Sequence, residues 1–375
     1  MERLKRLREL PYTKQKKIIS LVFEEAKRMR EKGKINYREL SRIVSAKTGI
    51  TLHHNTIRGW LTREHTPLGW KKCKAARRPP DEDSQVVRGL EMTDLSYKVR
   101  HHTIELYLRT TKDFFAQRVR NFLSKYGWTT TKPILVDDRP EWETAAFLDY
   151  ETWVHELEKP AEKLAYKEKM KLLSGAISGD GYITIGYMSQ RRVKFMIGLC
   201  STQKCKAEIF HRILESISIP HGYTRKENSA PKKGRMQHQQ EKIGDNIIQT
   251  RAPYKYVITV AARTAVKYLL ANLKLLQPFR EVKRILALRF VEKDVLDRDL
   301  IKPVWDYLRV LEKYSTIRSQ IRACELIPDE RFDKKNLNKQ RMLKQLRRKL
   351  YKYADAVRNL KPRATRIISG LKPSP

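Results

Sequence analysis

Two stretches of this chain end in an aspartate at matching positions. Val87-Arg88-Gly89-Leu90-Glu91-Met92-Thr93-Asp94 and Leu173-Ser174-Gly175-Ala176-Ile177-Ser178-Gly179-Asp180-Gly181 align glycine on glycine and aspartate on aspartate. A glycine inside a helix costs about 1 kcal/mol relative to alanine, so a pair at one repeat position calls for a reason. Close helix approach supplies it. Gly175 and Gly179 are four apart and share a face, as do Gly89 and Thr93, so two small-residue strips would let the helix backbones touch across a pseudo-twofold axis. Asp94 and Asp180 would then meet, each at the negative end of its own helix dipole and beside the other's charge. That is a poor place for stability alone. Divalent cations remove the objection, because hard ions need oxygen ligands and shared ions can activate water and stabilise the leaving oxygen of a phosphodiester. The plainer alternative is a helix-to-strand turn at each aspartate, as Asp180-Gly181 would make; its recurrence at matching positions favours the metal reading.

The elements that must position these aspartates repeat as well. Two strands follow each, Ser96 to Val99 and Thr103 to Leu108 in the first copy, Tyr182 to Tyr187 and Val193 to Leu199 in the second. Thr110-Thr111-Lys112 aligns with Ser201-Thr202-Gln203, and each triplet can cap an amphipathic helix. A second strand pair closes each copy. Its last strand runs into a helix, Asp149 to Glu158 in one and Arg263 to Leu275 in the other. The order is helix, two strands, helix, two strands, helix, twice. This is an α+β chain with a duplicated αββαββα unit.

The chain has 375 residues, 40% of them hydrophobic, and a formal net charge of +38 spread along its whole length, so it can bury a core and needs a polyanionic partner. No stretch is apolar enough to span a bilayer and no lipidation motif is present, which turns the charge toward nucleic acid. Cys73, Cys200, Cys205 and Cys324 are scattered and have no zinc-ligand spacing; they read as buried or free thiols of an intracellular protein, in cytoplasm, nucleoid or an organelle.

Before the repeat, Asn36 is a plausible N-cap for a helix carrying Leu40, Ile43 and Val44, which Gly49 ends. A second helical stretch, Asn55 to Leu61, completes a helix-turn-helix in which His54, Asn55, Thr56, Arg58 and Arg63 would meet DNA; a plain helical hairpin is the alternative. Arg77-Arg78-Pro79-Pro80 reads as a linker. The turn residues Arg191 and Arg192, with Lys194, and the long basic insertion carrying Arg225, Lys232, Lys233 and Arg235 are further candidates for DNA contact, although a solvated insertion would look similar. From Asp299 the chain reads as helices, over Pro303 to Cys324 and Asn336 to Leu360, with a basic surface around Lys344 to Lys349 suited to phosphate. Four regions result: 1–76, 81–165, 166–298 and 299–375.

Leu173 to Gly181 resembles the motif of the LAGLIDADG homing endonucleases, with Val87 to Leu95 similar to a second, worn copy that lacks the closing glycine. Gln277-Pro278-Phe279-Arg280-Glu281-Val282-Lys283 is similar to the segment after the family's last helix. The resemblance implies a saddle of two four-stranded sheets on double-stranded DNA, Asp94 and Asp180 as ligands of Mg2+ or another divalent cation, and Lys283 as an active-site base or charge stabiliser. Lys163 is the corresponding candidate in the first copy. Two copies in one chain imply a monomer. Two other activities fit the same resemblance: a non-cleaving transcription regulator with a degenerate LAGLIDADG domain, and a maturase acting on intron RNA.

Overall fold

The computed structural model describes residues 7, 10, 12–31, 33, 35–62, 80–100, 103–227, 238–243, 246–251, 254–333, 335 and 337–371. The expectations for Arg63, Lys232, Lys233 and Arg235, and for Cys73 and Arg77 to Pro79, fall outside the described residues.

Three helices come first, α1 (Tyr12–Glu31), α2 (Tyr37–Thr48) and α3 (His54–Leu61). The Asn36 side chain accepts hydrogen bonds from the backbone N–H of Arg38 and Glu39, and Gly49 ends α2 at φ 67°, the left-handed conformation that glycine adopts without strain. Ile19, Val22, Leu40, Val44, Ile57 and Trp60 form the buried centre of this unit.

The next elements are α4 (Ser84–Glu91), β1 (Leu95–Arg100), β2 (Thr103–Thr110), α5 (Asp113–Leu123), β3 (Trp128–Val136), β4 (Arg139–Asp149) and α6 (Tyr150–Glu158). They are followed by α7 (Tyr166–Gly179), β5 (Gly181–Tyr187), β6 (Val193–Ser201), α8 (Lys204–Ser216), β7 (Gly222–Glu227), a hairpin of β8 (His238–Ile243) and β9 (Asn246–Arg251), β10 (Tyr254–Val260) and α9 (Arg263–Asn272). The strands make two antiparallel four-stranded sheets, β1-β2-β4-β3 and β5-β6-β10-β7, with matching spatial order. In each sheet one face is apolar by the two-residue period of a strand. Ile104, Leu106 and Leu108 pack with Val87, Leu90, Phe115 and Trp153 in the first half. Ile183, Phe195, Ile197 and Leu199 pack with Phe210, Leu214 and Leu269 in the second.

The remaining helices are α10 (Pro278–Glu292), α11 (Arg298–Leu326), α12 (Asp329–Asp333) and α13 (Lys339–Gly370). Both long C-terminal helices extend beyond their apolar-periodic stretches because they pack on each other, through Ile317, Cys324, Leu343 and Leu346. They also join the halves. Trp142 of β4 donates its indole N–H to the Ser319 hydroxyl at 3.0 Å, and Ala364 and Leu371 belong to the second half's core. Among the described residues no helix is long and apolar enough to cross a membrane.

Candidate active site

Helices α4 and α7 lie backbone against backbone. A Cβ placed on Gly89 would overlap the Leu172 carbonyl and stand 2.9 Å from the Gly175 Cα; one on Gly175 would overlap the Val86 carbonyl; one on Gly179 would overlap the Thr93 side chain. The three small positions therefore are the contact, and any larger residue would separate the two helix ends. Met92, the residue after α4, is buried in the second half's core, so each half helps to hold the other. Glu91 turns away from this contact toward α8. Its carboxylate lies 3.8 Å from the Lys206 ammonium.

Asp94 follows α4 and Asp180 caps α7. Both side chains retain solvent-exposed surface, yet each is crowded by protein on its other sides. This crowding, then the charge of Asp180, raises the Asp94 carboxyl to about 6; Arg280 and Lys112 oppose the shift. Crowding also raises Asp180, against the charge of Arg280 and a hydrogen bond with Asp94. The two carboxyls are thus both harder to ionise than a free aspartate, and they titrate as a pair.

Arg280 was overlooked in the sequence although it sits within the quoted segment. Its guanidinium donates to the carbonyl oxygens of Ser178 and Gly179, closing the end of α7 directly beneath Asp180. A cation belongs at this negative helix terminus. The segment leading to it is fixed by two serines of α7: the backbone N–H of Lys274 donates to the Ser174 hydroxyl at 3.2 Å and that of Leu276 to the Ser178 hydroxyl at 2.8 Å. Helix α9 stops at Asn272 for this reason, three residues earlier than its periodicity suggests, because residues 273–277 leave the helix and are tied to α7. Ser178, in the position where the motif often carries an acid, is a structural acceptor.

Lys283 lies one helical turn beyond Arg280 on α10 and donates to Glu312 of α11 at 3.3 Å. Lys112, at the start of α5, donates to the same carboxylate at 2.6 Å and the Gln277 amide does so at 2.9 Å. Glu312 carried no signal in the sequence, being on a helix outside both repeats. Lys163 is placed elsewhere. It is exposed in the short 3-10 turn Ala161–Lys163, ahead of the N-terminus of α7, a helix length of roughly 20 Å from the end that carries Asp180. The spacing after α6 resembled that after α9 only superficially; the lysine of the first half that approaches the aspartates is Lys112.

The remaining candidates fall on three surfaces. Asn55, Thr56 and Arg58 are exposed on α3 and His54 is half-buried, opposite the buried Ile57 and Trp60. Arg191 and Arg192 are exposed in the β5–β6 turn, where the Arg191 carbonyl accepts from the Arg298 backbone at 2.9 Å. Lys194 alternates with the buried Val193 and Phe195 and so faces the outer side of the second sheet. Arg225 pairs in register with Tyr256, which packs against the second core, placing it on the helix-bearing side; Thr224, Lys226 and Lys255 occupy the outer side. On the outer face of the first sheet Arg109 and Lys132 share Glu143 at 3.1 and 3.2 Å and Arg139 pairs with Glu141 at 2.6 Å, while Lys98 of β1 lies on the same face, in register with Glu105.

No protein-family model matches this chain, and no curated protein matches its sequence. Among solved structures, the homing endonuclease I-DmoI in complex with DNA and Mn aligns over 52% of this chain and 97% of its own, at 13% identity and a TM-score of 0.32. The LAGLIDADG meganuclease I-AabMI bound to uncleaved DNA aligns over 58% and 94%, at 10% identity and 0.32. Full-length DUF199/WhiA from Thermatoga maritima aligns over 73% and 92%, at 12% identity and 0.33. Similarities of this size do not assign a function.

Proposed function

We propose that this chain is a metal-dependent, site-specific endonuclease of the LAGLIDADG homing type, acting as a monomer on double-stranded DNA. One observation carries the reading: two helices give up side chains at Gly89, Gly175 and Gly179 to touch, and what that contact achieves is to set two like-charged carboxyls together at a solvent-open position. Even with Arg280 beside them, Asp94 is raised to about 6. The contact therefore places two carboxylates where their charged forms are disfavoured by crowding and by each other, which a bound cation would relieve. Asp94 and Asp180 would hold a divalent cation such as Mg2+ through their carboxylates. A hard ion held by two carboxylates would take water and phosphate oxygens as its other ligands. When bound, the ion supplies water activation and stabilisation of the leaving oxygen. Lys112 and Lys283, donors to Glu312 in this structure, supply positive charge for a phosphate in the transition state.

The outer face of the second sheet, with Lys194, Lys226 and Lys255, and the exposed side of α3, with Asn55 and Arg58, are the DNA-contacting surfaces. In this arrangement the three N-terminal helices act as a helix-turn-helix and the duplicated halves as a saddle. The test is linearisation of plasmid DNA carrying the bound site in the presence of Mg2+. Wild type is expected to linearise it, and Asp180→Asn to bind with similar affinity and leave it intact. A folded protein that binds its site and never cuts it would remove this reading.

A second reading has its own observation. Arg280 places a permanent cation beneath the two aspartates, which suits a regulator that keeps the DNA-binding frame and has no need of metal. In that case Mg2+ would neither raise the melting temperature nor change the Asp94 titration.

A further inference from the structure

We infer that Glu312, on a helix outside both repeated halves, is a positioning residue of the active site, holding Lys112 and Lys283 together as a pair of cations. This rests on the nuclease reading for its purpose, though not for its geometry.

Three donors from three elements converge on one carboxylate. Lys112 begins α5 in the first half, Lys283 lies on α10 after the second half, and Gln277 is the residue before α10; all three donate to Glu312, at 2.6, 3.3 and 2.9 Å. The side chains are largely enclosed, with 24%, 16% and 18% exposure for Lys112, Lys283 and Glu312. Burial works against the charged form of Glu312, but the Lys112 and Lys283 ammonium groups outweigh it and hold the carboxyl below its usual range. An ion pair that costs desolvation on both sides is a weak source of stability, and its constant partner geometry is the better account of it. Here the geometry spans the pseudo-twofold: one anion fixes one lysine from each side of the site.

The chemical consequence concerns what Lys283 can do. In these contacts each lysine donates an N–H to a carboxylate, so each is presented as a cation and not as a proton acceptor. Of the two roles open to Lys283 in the sequence, base or charge stabiliser, Glu312 selects the second. In that role the lysines oppose charge growing on the phosphate. The same carboxylate adjoins a cleft of about 720 Å³ lined by Lys112, Arg309, Lys313, Lys349 and Lys352, so the network is reachable from solvent on the side of the C-terminal helices.

The test uses the full-length chain and a soluble amine-acylating reagent, with labelling at each lysine followed by peptide mass spectrometry. Glu312→Gln should raise the labelling rates of Lys112 and Lys283 at least threefold over wild type, on the order expected when an anionic partner is lost, with other lysines unchanged and the circular dichroism preserved. Glu312→Asp should return part of the protection. Unchanged labelling of both lysines in folded Glu312→Gln would overturn the inference, whether or not any DNA is cut. Where wild type cleaves, Glu312→Gln should lower kcat by about tenfold with KM for DNA nearly unchanged, as loss of transition-state charge stabilisation does. A fall confined to KM would equally overturn it. If wild type fails to cleave while Glu312→Gln releases both lysines, the nuclease reading falls and the positioning role stands. Should Glu312→Gln misfold, Gln277→Leu, which removes only the neutral donor, is expected to leave Lys112 protected; free labelling there would count against the network.

Discussion

At the residue scale the aspartate pair is a place where the fold accepts a cost. The Asp94 carboxyl is raised from 3.8 to about 6 by surrounding protein and then by Asp180. Its folded value therefore exceeds its unfolded one, so its stabilising contribution is complete below pH 3.8 and lost as pH climbs through about 6. Asp94→Asn should accordingly melt at a higher temperature than wild type at pH 7.5, with the difference vanishing toward pH 4. Because the side chain is open to solvent, screening holds the gain to about 1 kcal/mol, a few degrees in melting temperature. Millimolar Mg2+ should reverse the order, since an ion bound only by the native pair stabilises wild type and not the variant. Differential scanning calorimetry across pH, with and without Mg2+, measures both. An equal shift in the two proteins on adding Mg2+ would show that the cation binds elsewhere.

At the element scale the helix pair is decided by its glycines. Gly175→Ala puts a methyl group into the Val86 carbonyl and against Gly89, where the obstacles are backbone atoms that cannot rotate away. Overpacking of this kind costs about 3 kcal/mol, enough to lower the melting temperature by on the order of 5 °C despite the better helix propensity of alanine. Gly222→Ala is the control: its Cβ would meet nothing nearer than 4.0 Å, and its effect should be small. Thermal melts of the two variants separate close packing from propensity. This helix contact was legible in the sequence because spacing alone puts Gly175 and Gly179 on one face, and the strand pairs were legible because alternation marks Ile104, Leu106 and Leu108. What escaped had no periodic signature. Arg280 differs from its neighbours only in which carbonyls it reaches, and that depends on the non-helical segment 273–277 pinned by Ser174 and Ser178. Glu312 reaches its lysines from a helix that neither repeat contains, so only the tertiary packing of α11 could bring it in. Lys163 failed in the opposite sense, since a matching spacing after α6 leads to the wrong end of α7.

For the whole molecule, a net charge of +38 ensures attraction to DNA without saying which surface meets it. The two sheets differ in this respect. On the first, Arg109 and Lys132 share Glu143 and Arg139 pairs with Glu141, so part of the positive charge there is already offset and docking on phosphate releases fewer counterions per cation. On the second, Lys194, Lys226 and Lys255 share the outer face with Thr184, Thr224 and Val257 and no strand acid. A sheet with unpaired lysines gives up condensed counterions when it docks, and each phosphate so neutralised adds about −0.9 to the slope of log affinity against log salt. Lys194→Ala and Lys255→Ala should each flatten that slope by about one unit and weaken binding to all sequences alike. Lys132→Ala should flatten it less, because the Glu143 carboxylate that Lys132 shares with Arg109 offsets part of its charge before DNA arrives. Fluorescence anisotropy titrations over a salt series decide the matter, and equal flattening by all three substitutions would mean that both sheets contact the backbone alike and that the acids of the first sheet give way when it binds.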